Sequence, residues 1–98
     1  MSLDLYELLD AVKDEATFLA FANALRRDRI DEETAELASP SSPYGPGANG
    51  WENQTIGDFL GGAIAWAEST NVGLTQGLDP SNPWKRFADF LYCGKMYE

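Results

Sequence analysis

Residues 55–67, which read TIGDFLGGAIAWA, carry the clearest helical pattern in the sequence. Thr55 followed by Asp58 approximates a capping box, which is typical of a helix start. Apolar side chains cover one broad arc of the helical wheel, and this arc predicts a helix over 56–69 that packs against a core. The members of the arc are Ile56, Phe59, Leu60, Ala63, Ile64, Trp66 and Ala67.

The other side of this predicted helix is lined with small residues. Gly57, Gly61 and Ala65 recur every four residues, with Gly62 beside them. A glycine in a helix interior costs about 1 kcal/mol relative to alanine, so a packing contact must offset it. We therefore expect another backbone to approach this side, and a homodimer through Gly57, Gly61 and Ala65 is one prediction.

Three further helices are predicted around this segment. The first two carry apolar residues at helical spacing. The last begins at Asn82 and Pro83, an N-cap followed by proline at the first helical position. The predicted ranges are 3–13, 15–29 and 83–93.

Charged side chains dominate residues 26–36. Such runs are usually solvated helical faces, and the spacing here allows ion pairs such as Arg29 with Glu33. We predict a solvated extension of the second helix. An extra turn over 31–38, with a bend or a restart near Asp31, is the alternative and would make a fifth helix.

The chain has 98 residues, which is the size of one domain. No alternating strand pattern lasts for more than a few residues. The sequence predicts a single all-α domain over 1–98, with four or five helices and one long loop rich in proline and glycine. One shared core is expected, formed by Phe21, Leu25, Phe59, Leu60, Ala63, Trp66, Trp84, Phe87 and Leu91.

Residues 39–54 form the predicted loop, because prolines and glycines interrupt helix and strand alike. Tyr44 and Trp51 favour an ordered loop, since large rings gain free energy by burial. We predict that Trp51 is partly buried and Tyr44 more exposed. A preset loop loses little entropy on binding, so the predicted partner-binding residues are Tyr44, Asn49, Trp51 and Glu52.

Sixteen acidic and seven basic side chains give a net charge of −9, and the chain has one Cys and no His. The missing histidine excludes His metal sites and Ser-His-Asp or Cys-His catalysis. The negative charge opposes nucleic-acid binding. Neither a signal peptide nor a membrane span is recognisable, and a free thiol suits a reducing compartment. We expect a cytoplasmic protein that binds no metal, cofactor, nucleic acid or membrane.

Catalytic residues do not stand out in this sequence. The glycines of the loop lack the lysine and the preceding strand of a phosphate-binding loop. Nothing in the pattern brings the carboxylates of Glu52 and Asp58 into one cleft. Cys93 lies beside an apolar stripe and is expected to be a small buried hydrophobe. We therefore predict that the protein is not an enzyme.

Three segments together resemble a known family. They read PSSPYGPGANGWENQTIGDFL over 40–60, AWAE over 65–68 and NPWKRFADFLYCGKMYE over 82–98. This combination resembles an uncharacterised bacterial family, a domain of unknown function. The resemblance implies no activity, substrate or site residue. By analogy with other small acidic bacterial domains, it implies partner binding, for example of the toxin-immunity type.

Three functional hypotheses follow. The preferred one is a non-catalytic protein-binding module, of immunity or inhibitor type, whose acidic second helix and 39–54 loop suit a basic partner. The alternative is a small-molecule-binding protein or an enzyme with a pocket under that loop. The third is a structural domain that associates with itself through the glycine face of the third predicted helix.

Overall fold

The computed structural model describes residues 4–39 and 49–97, and all regular structure within these ranges is helical. The prediction of an all-α fold is therefore confirmed. No helix in these ranges combines the length and the hydrophobicity needed to cross a membrane. A short 3₁₀ turn, Leu74–Gln76, lies between the last two of four α-helices. These are α1 (Leu5–Asp10), α2 (Glu15–Ala38), α3 (Ile56–Thr70) and α4 (Pro83–Met96).

Local capping sets where the helices begin. Asp14 and Thr17 form a reciprocal capping box at α2: the Thr17 N–H donates to Asp14 Oδ1 at 2.9 Å, and the Asp14 N–H donates to Thr17 Oγ1 at 3.0 Å. Thr55 caps α3 by accepting the Asp58 N–H, and Asn82 caps α4 by accepting the Lys85 N–H. The predicted helix starts at 15, 56 and 83 are confirmed.

Three helix ends differ from the predicted ranges. α1 ends at Asp10 instead of 13. α2 continues without a break to Ala38, so the range 15–29 is too short, the predicted helical extension through the charged run is confirmed, and residues 31–38 form no separate helix. α4 continues through Gly94 to Met96, although glycine is a common helix stop. Gly94 is retained for packing: a Cβ there would lie 2.9 Å from both the ring and the carbonyl oxygen of Phe59.

Helix α4 is the centre of the fold. It contacts α1, α2 and α3, and α1 also packs on α2. Within the described part of the chain, no Cα atom of α2 lies within 8 Å of a Cα atom of α3. The main core forms where α1, α2 and α4 meet, and its buried residues are Leu9, Val12, Phe18, Phe21, Leu25, Trp51 and Ala88.

The predicted shared core is only partly correct. Four of its members are buried, namely Phe21, Leu25, Ala63 and Trp66. Phe59 and Leu91 are half-buried. Three expected core residues are exposed: Leu60 at 45%, Trp84 at 38% and Phe87 at 49%.

The rotation of α3 explains why Leu60 is exposed. Its buried residues are Gly62, Ala63, Trp66 and Thr70, so the buried side is turned toward Trp66 and away from the edge of the apolar arc that carries Leu60 and Ile64. Gly62 allows the chain end to come close, because a Cβ there would lie 2.5 Å from the Tyr97 carbonyl oxygen. The large apolar side chains of Ile56, Leu60 and Ile64 therefore point outward.

Alanine at Gly61 and at Gly62 is expected to change stability in opposite directions. Gly61 has open space beside it, so alanine should raise the free energy of unfolding by about 0.5–1 kcal/mol through helix propensity alone. At Gly62 the new Cβ would clash with the Tyr97 carbonyl and the Asn53 amide, and overpacking of this kind costs about 1–3 kcal/mol. Urea denaturation of both variants measures the two signs; a more stable Gly62→Ala would contradict the close contact.

Candidate functional site

A groove with a volume of about 450 Å³ opens between α2 and the start of α3. We call it the α2–α3 groove. Its charged side chains, Arg26, Arg29 and Glu33, all lie on the α2 wall. Its main apolar lining consists of Ala22, Leu25, Ile30, Trp51, Ile56 and Phe59.

One row of residues on α4 contacts both neighbouring helices. Phe87, Leu91 and Gly94 form this row at spacings of four and three residues. The Phe87 ring lies 5.3 Å from that of Phe18 on α2, whereas Gly94 packs against Phe59 on α3. The Phe87 side chain is exposed, but none of the described α4 residues lines the groove itself.

Trp51 lines the groove and is held by several contacts. Its side chain is 5% exposed, and its ring stacks on Phe59 with centroids 6.0 Å apart. The indole N–H donates to Asp28 Oδ2 at 2.9 Å. The guanidinium of Arg29 lies 5.5 Å from the ring centroid and the Lys95 ammonium 5.7 Å from it, within the range of cation–π attraction.

A completely buried carboxylate anchors the segment that carries Trp51. Oε1 of Glu32 accepts the backbone N–H of Asn49 at 2.9 Å and that of Trp51 at 3.2 Å. Its other oxygen, Oε2, pairs with Arg29 at 2.6 Å. The prediction that the charged run of α2 is a solvated face is wrong for Glu32, because this side chain replaces water with two N–H donors and a cation.

Asp28 and Lys95 attach the same segment to both helices. Asp28 pairs with the Lys95 ammonium at 2.8 Å, and its carbonyl oxygen accepts the Asn49 side-chain amide at 2.8 Å. The Lys95 carbonyl oxygen accepts the backbone N–H groups of Glu52 and Asn53. Residues 49–54, which we call the docked segment, are therefore fixed between α2 and the end of α4.

The predicted partner-binding residues occupy different environments. Tyr44 lies outside the described residues. Asn49 is half-buried and bonded to α2, and the Trp51 ring lines the groove while being almost wholly buried, more than the partial burial we predicted. The Glu52 side chain is exposed. Whether these residues bind a partner stays a prediction.

The small-residue side of α3 has room for a neighbour. No atom lies within 4 Å of a Cβ built at Gly57 or Gly61, and Ala65 is half-buried. Internal packing of the described residues therefore does not explain Gly57 and Gly61, in contrast to Gly62. The predicted homodimer through this side stays a prediction.

Several of the polar residues that line the groove are already hydrogen-bonded within the protein. Arg29 and Gln54 are engaged with each other, since the guanidinium donates to the Gln54 carbonyl oxygen at 3.0 Å, and the Asn53 amide donates to the carbonyl oxygens of Gly94 and Tyr97. Arg26 is the charged lining group that has no ion pair among the described residues.

Nucleophilic and metal chemistry find little support in the described residues. Burial, with a smaller contribution from the Asp89 charge, raises the pKa of the Cys93 thiol to about 11, so the reactive thiolate is scarce at neutral pH. In the ranges 4–39 and 49–97 no group of three or more His, Cys, Asp or Glu side chains is placed to hold a metal ion.

Comparison with known proteins gives one match. Residues 14–98 match a family of unknown function, DUF7660. Neither the curated proteins nor the solved structures contain a match to this chain. The matched range includes α2, α3, α4 and the docked segment, and it begins at the residue that caps α2. Because the match covers most of its length, the chain belongs to the DUF7660 family of unknown function.

Proposed function

We propose that the protein is a non-catalytic protein-binding module that holds an apolar segment of a partner protein in the α2–α3 groove. One observation carries this proposal: six apolar side chains line the groove, and two of them, Ile30 and Ile56, are large and exposed to solvent. Exposed apolar residues gathered in one patch are typical of interaction sites, whereas scattered ones are not.

The rigid base of the groove supports the same proposal. Trp51, Phe59 and Leu25 are held by core packing and by the docked segment, so a partner meets a surface that is already formed. A preformed surface avoids the entropy cost of ordering side chains and loops on binding. The centre of such a patch is where binding energy is usually concentrated.

A small-molecule ligand is the weaker alternative. Ligand pockets normally offer several polar groups that converge on the bound molecule. Here the polar groups of Arg29, Asn53 and Gln54 are already bonded within the protein, which leaves Arg26. A pocket under the 39–54 loop stays a prediction, and self-association through Gly57, Gly61 and Ala65 is an outcome that the experiment below distinguishes.

The biological setting is part of the proposal. The motif resemblance favours a bacterial protein, and the single free thiol favours the cytoplasm. A net charge of −9 suits a basic partner, such as the target of an immunity or inhibitor protein.

Position-specific photo-crosslinking in the native cell tests the docking proposal. A photoreactive phenylalanine analogue at Ile30 or Ile56, which both line the groove, is expected to form an adduct with a partner protein. The matched control is Met96, which is 38% exposed against 43% for Ile30 but does not line the groove. An adduct of twice the chain's own mass would indicate self-association. Adducts equal at Met96, or none at the groove positions, would refute the proposal.

A further inference from the structure

We propose that Asn49 is a site of spontaneous deamidation, and that its conversion to aspartate or isoaspartate releases the docked segment from α2. Asn49 is followed by Gly50, and no other asparagine of the chain is followed by glycine. The proposal goes beyond the docking function and does not depend on it, because the reaction involves only this chain and water.

The reaction at an Asn-Gly pair has two steps. The backbone nitrogen of Gly50 attacks Cγ of Asn49, the Cγ–N bond of the side chain breaks, and the amide nitrogen leaves as ammonia with the proton of the Gly50 N–H. This step closes a succinimide ring. Water then adds to one of the two ring carbonyl carbons, and the opened ring is an aspartate or an isoaspartate. The chain neither gains nor loses electrons.

The attacking nitrogen of Gly50 is free and unobstructed in the fold. The N–H groups on either side of it, those of Asn49 and Trp51, are bound by Glu32, but no described residue accepts the Gly50 N–H. Among the described residues, no atom outside its chain neighbours lies within 4 Å of a Cβ built at Gly50. Its φ of +83° is a left-handed conformation that suits glycine, so a bulkier residue does not fit there easily.

One hydrogen bond restrains the other reactant. The Asn49 side-chain amide donates to the Asp28 carbonyl oxygen at 2.8 Å, and the residue is half-buried against α2. Ring closure draws this side chain toward its own backbone and removes its nitrogen, so the reaction requires the bond to Asp28 to break. We therefore expect deamidation to follow local opening of the docked segment, and to be slower in the folded protein than in the unfolded chain.

The aspartate product does not fit the place of Asn49. A carboxylate has no N–H to donate, so it would face the Asp28 carbonyl oxygen as a second acceptor. The buried carboxylate of Glu32 already binds the backbone N–H of the same residue and would repel the new charge. Deamidation thus replaces an attachment to α2 by a repulsion.

The isoaspartate product breaks the register of the docked segment. Its main chain runs through the former side chain, which inserts one more carbon atom between the N–H groups of residues 49 and 51. Oε1 of Glu32 accepts both of these N–H groups in the unmodified chain, at 2.9 Å and 3.2 Å. A longer main chain cannot keep both bonds in place. Either product therefore loosens Trp51, which lines the groove.

Other asparagines of the chain serve as internal references for the reaction. Asn82 precedes Pro83, whose nitrogen has no hydrogen to release and cannot close the ring. Asn71 precedes the β-branched Val72, whose side chain crowds the attacking nitrogen. Asn53 has a side-chain amide held by two carbonyl oxygens. Asn49 should react before all of them.

Timed incubation followed by mass spectrometry tests the site. The unmodified protein is kept at mildly alkaline pH, folded or unfolded in urea, and the amide-to-acid mass change is followed at each asparagine in proteolytic fragments. We expect Asn49 to react first, and at least about tenfold faster in the unfolded chain, because opening limits the folded protein. Equal or faster reaction at Asn53 or Asn71, or a folded rate equal to or above the unfolded rate, would overturn the proposal.

Asn49→Asp, which is identical to the aspartate product, tests the release of the segment. Amide hydrogen exchange at Trp51 is expected to be at least about tenfold faster in this variant, because bonds to a buried acceptor are lost. Asn71→Asp adds the same charge at an exposed side chain and should leave that exchange within about twofold. Exchange at Phe21 in the core reports global unfolding and should change less than exchange at Trp51.

The exchange results decide whether deamidation acts locally. Faster exchange at Trp51 than in the unmodified protein, with Phe21 changed less, supports release of the docked segment. Unchanged exchange at Trp51 in Asn49→Asp, equal acceleration at Trp51 and Phe21, or the same acceleration in Asn71→Asp would overturn it.

Discussion

Replacing Glu32 with alanine is expected to lower the free energy of unfolding by about 3–5 kcal/mol, because it removes a fully buried carboxylate that pairs with Arg29 and accepts two backbone N–H groups. The variant leaves Arg29 without its buried carboxylate and deprives the backbone N–H groups of Asn49 and Trp51 of their acceptor. Unpaired donors in the interior carry their full desolvation cost. The docked segment should then lose its attachment to α2.

Equilibrium urea denaturation followed by circular dichroism measures this loss. Glu33→Gln is the matched control, since Glu33 also pairs with Arg29, at 3.2 Å, but its side chain is 59% exposed. An exposed pair of this kind contributes about 0–1 kcal/mol. Glu32→Gln should fall between the two, because its amide oxygen still accepts an N–H. Similar small losses for Glu32→Ala and Glu33→Gln would contradict the anchoring role of Glu32.

Local signals in the sequence were sufficient to predict the fold class and most helix starts. Capping depends on residues three positions apart, as at Asp14, Thr55 and Asn82, so it can be predicted without knowing the tertiary structure. The apolar residues Phe21 and Leu25 likewise face the core as their spacing indicates. These features depend only on residues of the same helix and its cap.

Features that depend on a second element were not predictable in the same way. The exposure of Leu60 follows from contacts of Gly62 and Gly94 with residues far along the chain. The burial of Glu32 could have been predicted from the sequence. Asp28 and Glu32 follow Phe21 by seven and eleven residues, so they continue the stripe that Phe21 and Leu25 begin. Carboxylates that continue an apolar stripe predict buried polar partners elsewhere in the chain.

Two of the three tryptophans show the same limit of prediction from the sequence. Trp84 lies on an apolar helical stripe and was expected in the core, yet it is 38% exposed beside Phe18. Trp51 follows a loop without helical periodicity and is 5% exposed. Periodicity predicts the direction in which a side chain leaves its own helix, whereas burial depends on which other elements cover that side chain. Trp84 is left partly uncovered, whereas α2, α3 and α4 all contact Trp51.

Trp51→Ala is therefore expected to destabilise the protein far more than Trp84→Ala, although the same atoms are removed. Truncating a buried tryptophan costs about 3–5 kcal/mol, and here the indole bond to Asp28 is lost as well. The partly exposed Trp84 should cost about 1–2 kcal/mol, in proportion to the apolar area that it buries. Urea denaturation followed by circular dichroism measures the free energy of unfolding of both alanine variants without relying on tryptophan fluorescence.

Trp51→Phe should recover most of the stability that Trp51→Ala loses, because the phenylalanine ring still packs on Phe59, while Asp28 keeps Lys95 as its partner. Equal losses for the two alanine variants would mean that the docked segment contributes little to the core, and the base of the groove would then not be preformed.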